Sequence, residues 1–353
     1  MESQALPTLR PLRLGELLDQ AIRLYRRNFL TFIGIIALVY VPLTVLSTAA
    51  TAVMSSSLLR VAGSNSPREI FTSYGYWLGL LSTLVLLFVR YILVQGVASG
   101  ALTRAVADQY LGRQTGILEA YREIGGVWGS LLGALFFIIL VYFVATLWWI
   151  LVPCVGWFTG LGMTAFLTGA INPLVPSVVV LERQGAVEAV RRAWQLARRR
   201  FWPVFGYVMV LYLFSVIIVS GPSLVINLLL RGAFASIRDQ TTAIVVTTII
   251  QALVQLVAAL IYYPVQMAAF TLIYFDLRVR TEGFDLALQT VATPDEADVN
   301  KLMASPPLAD ERFMTGQDLG NFAILTLAAL GVIILYYAVV AGVLMFALSL
   351  FRR

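Results

Sequence analysis

Residues 193–207 read AWQLARRRFWPVFGY and repeat residues 21–35, AIRLYRRNFLTFIGI, at a shift of 172 positions. Alanine, arginine, aromatic and glycine residues occupy matching positions in the two segments. In each copy a short basic stretch leads directly into a long apolar run. Such a unit predicts an amphipathic helix at a membrane surface, followed by a helix that crosses the membrane.

The whole sequence has the composition of an integral membrane protein. Of its residues, 59% are hydrophobic and only 12% are charged, and the mean hydropathy is +0.85. A soluble domain needs far more surface charge. We therefore predict an all-α membrane fold with six spans in residues 1–290 and an additional C-terminal span at 320–353. Apolar runs long enough to span, about 20 residues, begin near Phe29, Tyr74, Val127, Trp157, Phe201, Ala243 and Phe322.

The distribution of basic residues predicts the orientation. Lys and Arg number 18 on the side of the N terminus and six on the other side of the predicted spans. The positive-inside rule then places the N terminus in the cytoplasm, and the predicted location is the bacterial plasma membrane. Arg352 and Arg353 do not follow this rule, because a seventh span places them on the side of the membrane opposite the cytoplasm.

Proline and glycine interrupt three of the apolar runs, at 171–177 (INPLVPS), 220–224 (SGPSL) and 262–266 (YYPVQ). Neighbouring groups must satisfy the freed carbonyls in lipid, so these helices are expected to pack together. The interruptions are typical of kinks in a bundle. The alternative is an unwound helix that lines a binding site, as in some transporters.

Arginine lies on one face of the predicted interfacial helices, and apolar residues lie on the opposite face. Such helices favour contact with anionic lipid. Simple anchoring of the bundle and docking of a partner protein are the alternatives. Because the apolar face belongs to the membrane, no nucleic-acid partner is expected. The predicted headgroup residues are Arg23, Arg26, Arg27, Arg191, Arg192, Arg198 and Arg199.

A weaker third copy occurs at 115–133, and residues 93–112 align with residues 264–283 at a shift of 171. These matches predict three parallel units. Each unit has one interfacial helix, at about 14–28, 103–125 or 183–200, followed by a transmembrane hairpin.

Four strings together resemble a known family: LRLGELLDQAIRLYRRNF (12–29), GALTRAVADQYLGRQTGILEAYRE (100–123), PSVVVLERQGAVEAVRRAWQLARRRFW (176–202) and YFDLRVRTEGFDL (274–286). They are similar to the membrane region of the bacterial glycerophosphoryl diester phosphodiesterase membrane-domain family and its uncharacterised relatives. In some members a similar region precedes a soluble barrel that carries the catalysis. The resemblance covers roughly residues 8–290 and does not include that barrel.

The residues needed for catalysis are missing from this sequence. It contains no histidine, whereas the resemblance implies that the barrel uses histidines as acid and base with carboxylate metal ligands. There is no phosphate loop, HExxH motif or serine elbow, and the single Cys154 forms no cysteine pair. We predict a non-catalytic protein with no cofactor and no metal.

Arg90 is the most unusual residue, because it lies near the middle of the second predicted span. A charge there costs about 2.5–3.5 kcal/mol and should face protein or a wet cavity. A hydrogen-bond hub, an anion or headgroup site, and a misplaced span boundary are the alternatives. The predicted polar site comprises Arg90, Gln95, Gln255 and Gln266. Other candidate partners are Gln251, Asn172, Asn227 and the more distant Asp276.

The remaining charged segments follow the sixth predicted span. Asp276 with Arg280, and Arg278 with Glu282, are predicted pairs at four-residue spacing, and Gly283 is a helix stop. Residues 291–319 predict a flexible cytoplasmic linker, whose acidic residues are a candidate cover for the arginine faces. The apolar helix at 320–350 either packs on its own chain or docks on a membrane-protein partner.

Two classes of function remain open from the sequence. The first is a scaffold, assembly factor or accessory subunit that engages anionic lipid and a membrane partner. The alternative is a lipid or small-molecule transporter or lipid-binding protein, which Arg90 and the interrupted helices favour.

Overall fold

The computed structural model describes residues 10–62, 74–234, 240–289, 303 and 314–351, and this part of the chain is helical without strands. The first half contains α1 (Leu14–Arg27), α2 (Phe29–Ala62), α3 (Tyr74–Arg90), a π-helical segment (Tyr91–Ala98), α4 (Ser99–Tyr110), α5 (Ile117–Glu123) and α6 (Trp128–Leu151). The second half contains α7 (Val155–Phe166), α8 (Val175–Glu182), α9 (Ala186–Arg199), α10 (Phe201–Ser215), α11 (Gly221–Phe234), α12 (Gln240–Glu282), α13 (Phe284–Gln289) and α14 (Gly316–Phe351).

Six stretches of the described chain are long and apolar enough to cross a membrane, which confirms the predicted all-α membrane fold. They are Phe29–Ser55, Tyr74–Tyr110, Ile117–Leu151, Val155–Glu182, Phe201–Asn227 and Thr242–Glu282. Helix α14 coincides with the predicted seventh span, whose membrane crossing stays a prediction. Most of the predicted linker, together with Arg352 and Arg353, lies outside the described residues.

The helix bounds follow the sequence repeat. Helices α1 and α9 both have 14 residues, and their first residues are separated by the shift of 172 positions. Each helix starts after a residue in extended conformation, which is Arg13 before α1 and Gly185 before α9. The Arg13 N–H donates to Glu16 Oε2 at 3.0 Å and holds the pKa of Glu16 below its usual range. The three-unit organisation of the whole chain stays a prediction.

The predicted interfacial helix at 103–125 is wrong in its bounds. Residues up to Tyr110 continue the second span, and Gly112, at φ +85°, allows the chain to turn. Only the short helix α5 follows. The Tyr121 hydroxyl of α5 donates to the Ile35 carbonyl at 2.6 Å, which anchors this short helix to α2.

A large part of the apolar face of α1 and of α9 is buried in protein. Leu17 and Ala21 on α1, and Ala193 and Trp194 on α9, are at most 3% exposed. Helix α1 packs on α12, and α9 packs on α6 and α8. The amphipathic pattern arises here because one face covers the bundle, so these helices do not bury that whole face in lipid.

The predicted interruptions are local irregularities. Leu167–Ile171 is π-helical and Asn172–Leu174 is a 3-10 turn, while another π-helical segment, Val216–Ser220, leads directly into α11. Helix α12 continues through Pro264. These positions are irregularities inside helices, and bends of the helix axes at them stay a prediction.

The N-terminal part of α14 packs on α7 of its own chain. The Gly162 N–H donates to Thr326 Oγ1 at 2.8 Å, so the two helices approach closely at this glycine. The Phe322 ring lies 5.7 Å from Phe201 and 5.9 Å from Phe166 between centroids. Of the two predicted alternatives for this helix, the structure shows contact with its own bundle.

Candidate functional site

A buried ionic cluster joins the ends of the fourth and sixth spans to α9. Arg192 Nε donates to both oxygens of Glu182, at 3.0 and 3.2 Å, and Arg192 Nη2 lies 2.6 Å from Glu282 Oε1. The Tyr274 hydroxyl donates to Glu182 Oε1 at 2.9 Å, and Arg278 Nε donates to Glu282 Oε2 at 3.1 Å. Each charge in this cluster has an opposite partner, which offsets the cost of burial.

The predicted pairs at four-residue spacing are present. Besides Arg278 with Glu282, Arg280 Nε donates to both oxygens of Asp276 at 2.9 Å. Asp276 Oδ1 also accepts from the Leu12 N–H at 2.8 Å, so the pair holds the segment before α1. Gly283, at φ +65°, follows the end of α12 as predicted.

A related cluster at the end of the second span escaped the sequence analysis. Arg104 Nε donates to Asp108 Oδ2 at 3.0 Å and also pairs with Glu123. The Thr115 hydroxyl donates to the same Asp108 oxygen at 2.9 Å. The four-residue spacing of Arg104 and Asp108 was a visible signal for this cluster.

The predicted headgroup arginines occupy different environments. Arg23, Arg26, Arg27, Arg191 and Arg199 are exposed. The prediction that Arg192 binds lipid headgroups is wrong, because Arg192 is 5% exposed and belongs to the ionic cluster. It lies on the polar side of α9, but its own side chain faces Glu182 at the end of α8 and Glu282 at the end of α12.

Arg198 is half-buried and contacts the start of α14. Its Nε atom lies 3.2 Å from Asp318 Oδ2. A cavity of about 490 Å³ lies at this junction, lined by residues 198–203 together with Thr315, Gln317, Asp318 and Asn321. The predicted headgroup arginines Arg198 and Arg199 therefore lie beside the C-terminal helix.

A polar stripe on α2 forms one wall of a second cavity. Tyr40, Thr44, Ser47, Thr48 and Thr51 all line this cavity of about 320 Å³. Their spacings of three and four residues place them on one side of the helix. Thr44, Ser47, Thr48 and Thr51 each donate to a backbone carbonyl one turn earlier, at 2.7–3.0 Å.

Arg90 and the amides of α12 form the other walls. Arg90 Nη2 donates to the Tyr40 hydroxyl, and its guanidinium carbon lies 4.5 Å from the centre of the Tyr40 ring. Thr83, Gln251 and Gln255 also line the cavity. Within the described ranges, no ion pair includes Arg90, and no partner binds the buried Thr83 hydroxyl.

The structure brings together only part of the predicted polar site. Gln255 shares the cavity with Arg90, whereas Gln95 and Gln266 are not among its lining residues. Asn172 and Asn227 do not line it either. The partner of Arg90 is Tyr40, which the sequence analysis missed, although the polar stripe that begins at Tyr40 was visible in an otherwise apolar span.

These features define a multi-pass helical membrane protein. Residues 175–296 match the family model described as the membrane domain of glycerophosphoryl diester phosphodiesterase, which confirms the resemblance over this segment. The matched segment runs from α8 beyond α13 and contains Glu182, Arg192, Arg278 and Glu282. Neither a curated protein nor a solved structure matches the chain significantly.

Proposed function

We propose that this protein is a non-catalytic component of the bacterial plasma membrane that binds anionic lipid as a scaffold, assembly factor or accessory subunit. The carrying observation is the face of α1, where Arg23, Arg26 and Arg27 are exposed opposite the buried Leu17 and Ala21. Each basic residue beside an anionic membrane contributes about 1 kcal/mol of attraction. A rigidly packed helix therefore presents three guanidinium groups at the start of the first span.

The charge distribution supports a cytoplasmic position for this face. The side of the N terminus carries 18 of the basic residues, and anionic lipid is common in the cytoplasmic leaflet. Arg23, Arg26 and Arg27 belong to this majority, as do Arg191 and Arg199 on α9.

The chain's own residues support a non-catalytic role. The sequence has no histidine, and the matched family segment is described as a membrane domain. The buried charges are engaged with one another: Glu182 with Arg192, and Arg104 with Asp108. The first pair joins α8 to α9, and the second lies within α4, so both serve as structural contacts.

A membrane-protein partner of helix 320–350 would contact the faces of α14 that point away from α7. Ile324, Leu327 and Ile334 are more than half exposed there, while Phe322 and Leu325 are buried against the bundle. Gentle extraction from the native membrane, followed by native mass spectrometry, tests whether such a partner protein is bound. A stoichiometric second protein supports an accessory subunit, and a lone chain contradicts it.

The lipid-binding part is tested by charge-matched variants in nanodiscs that contain equal amounts of phosphatidylglycerol and phosphatidylcholine. We expect the double variant R26Q/R27Q to retain fewer phosphatidylglycerol molecules in native mass spectrometry than the wild type. The control R122Q/R183Q removes two other exposed arginines. Equal retention by all three proteins would contradict lipid binding at α1.

One observation favours the alternative of a lipid or small-molecule binding protein or transporter. The cavity beside Arg90 has polar walls inside a membrane span. Intramembrane charges of this kind mark ligand paths in many membrane proteins. Bound phosphatidylglycerol that depends on Arg90, with no associated protein, would favour this second candidate.

A further inference from the structure

We propose that the cavity between α2, α3 and α12 binds one anionic phospholipid from the bilayer, with its headgroup at Arg90 and an acyl chain in an adjoining apolar groove. The inference rests on the proposed lipid-binding function. It adds an intramembrane site that is separate from the exposed arginines of α1.

The charge of the cavity fits an anion. Among the described residues that line it, Arg90 is the only charged one, and the other polar groups are hydroxyls and amides. A guanidinium has five N–H donors, so its bond to Tyr40 leaves donors for a phosphate. The Thr83 hydroxyl and the amides of Gln251 and Gln255 are further donors on the same cavity.

The shape of the neighbouring surface fits an acyl chain. An apolar groove of about 310 Å³ shares Thr44, Thr48, Ala252 and Leu256 with the polar cavity. Each volume is near the lower end of the range for small-molecule sites, roughly 300–1,000 Å³. A polar chamber that continues into an apolar groove matches an amphiphile, whereas a free phosphate would leave the groove unfilled.

The groove is accessible from the side of the bundle. Val45 and Leu253, which line it, are 63% and 56% exposed. Along α2, Tyr40 lies 11 residues after Phe29, or about 16 Å into the helix. The lipid headgroup would therefore lie well inside the span. The lipid would enter the cavity sideways from the bilayer, with its acyl chain in the groove.

The test uses the full-length protein in nanodiscs of phosphatidylglycerol and phosphatidylcholine, with lipid retention measured by native mass spectrometry. For Arg90→Gln we expect about tenfold lower occupancy of one phosphatidylglycerol, because a charged hydrogen bond is lost. Thr48→Leu should lower the same occupancy by filling the junction of cavity and groove. It leaves Arg90 intact, so it remains informative if Arg90→Gln does not fold.

Thr146→Leu is the matched control. Thr146 is exposed on α6, and its hydroxyl donates to the carbonyl of Tyr142 at 2.8 Å, as that of Thr48 does to Thr44 at 2.7 Å. This control should retain the bound lipid. Unchanged occupancy in both Arg90→Gln and Thr48→Leu would overturn the proposal. Binding of soluble glycerol phosphate as tight as that of phosphatidylglycerol would also overturn the proposal, because the acyl chain would then contribute nothing to the affinity.

The test of the cavity site can be distinguished from the test of lipid binding at the exposed arginines of α1. Loss of lipid in R26Q/R27Q with full retention in Arg90→Gln and Thr48→Leu supports the α1 surface and contradicts the cavity site. The reverse pattern supports the cavity site and contradicts the α1 surface.

Discussion

Arg192 Nε donates to both carboxylate oxygens of Glu182, at 3.0 and 3.2 Å, and so joins α9 to the end of α8. Both residues are at most 5% exposed. Through this contact an amphipathic helix is held to a membrane span by charge as well as by apolar packing.

Removing the charge of Glu182 should destabilise the bundle. Glu182→Gln leaves Arg192 and Arg278 with less negative charge in a buried site, and breaking such pairs costs about 3–5 kcal/mol. We expect a clearly lower thermal midpoint in detergent. Asp19→Asn, an exposed change on α1, should stay within about 0.5 kcal/mol of the wild type. Equal midpoints for the two variants would show that the cluster is not stabilising.

Loss of the Asp276 carboxylate should release the segment before α1. Asp276→Ala removes the acceptor of the Leu12 N–H and the carboxylate that pairs with Arg280. Arg280 also donates to the Leu12 carbonyl at 2.8 Å. Hydrogen exchange in a peptide covering Leu12 to Tyr25 should become faster. Asp285→Ala on α13 serves as the control, and exchange as slow as in the wild type would refute this anchoring role.

A methyl group at Gly162 should weaken the docking of α14. The added Cβ would overlap the Phe322 carbonyl oxygen and lie 3.0 Å from the Leu325 Cβ. Gly162→Ala is therefore expected to reduce hydrogen-exchange protection across α14. At Gly206 a Cβ meets nothing within 4 Å, so Gly206→Ala should preserve that protection. Unaltered protection in Gly162→Ala would contradict the close approach of α7 and α14 at this glycine.

Backbone conformation, more than space, should limit substitution at Gly283. An added Cβ would make an ordinary contact of 3.7 Å with Leu286, but φ is +65°. Left-handed backbone costs other residues roughly 1–2 kcal/mol, so Gly283→Ala should lower stability by about that amount. Gly129→Ala in α6, where nothing lies within 4 Å, is the comparison. A midpoint for Gly283→Ala at or above that of Gly129→Ala would contradict the argument.

Local patterns in the sequence predicted the helices well. The repeat anticipated the separation of α1 and α9, and the spacing of Asp276 with Arg280 anticipated their pairing. These features depend on residues three or four apart, which share one side of a helix. The same periodicity placed the polar side of α9 correctly but did not show what would cover Arg192.

Contacts between distant parts of the chain were harder to predict. Arg90 and Tyr40 are 50 residues apart, and Glu182 and Tyr274 are 92 apart. Their meeting depends on how the spans pack, which hydropathy does not encode. Amides and one acid were the predicted partners of Arg90, whereas the observed partner is a phenol beside a stripe of hydroxyls in the first span.

The position of Phe322 has a consequence for the order in which the protein is assembled. Its ring completes a cluster with Phe166, Trp194 and Phe201, and it comes from a helix that is synthesised after the six spans that precede it. While the six preceding spans enter the membrane, the matching face of α7 has no partner from this helix. The docking of α14 therefore follows the synthesis of the six spans, and a chain truncated before residue 316 would leave that aromatic site uncovered.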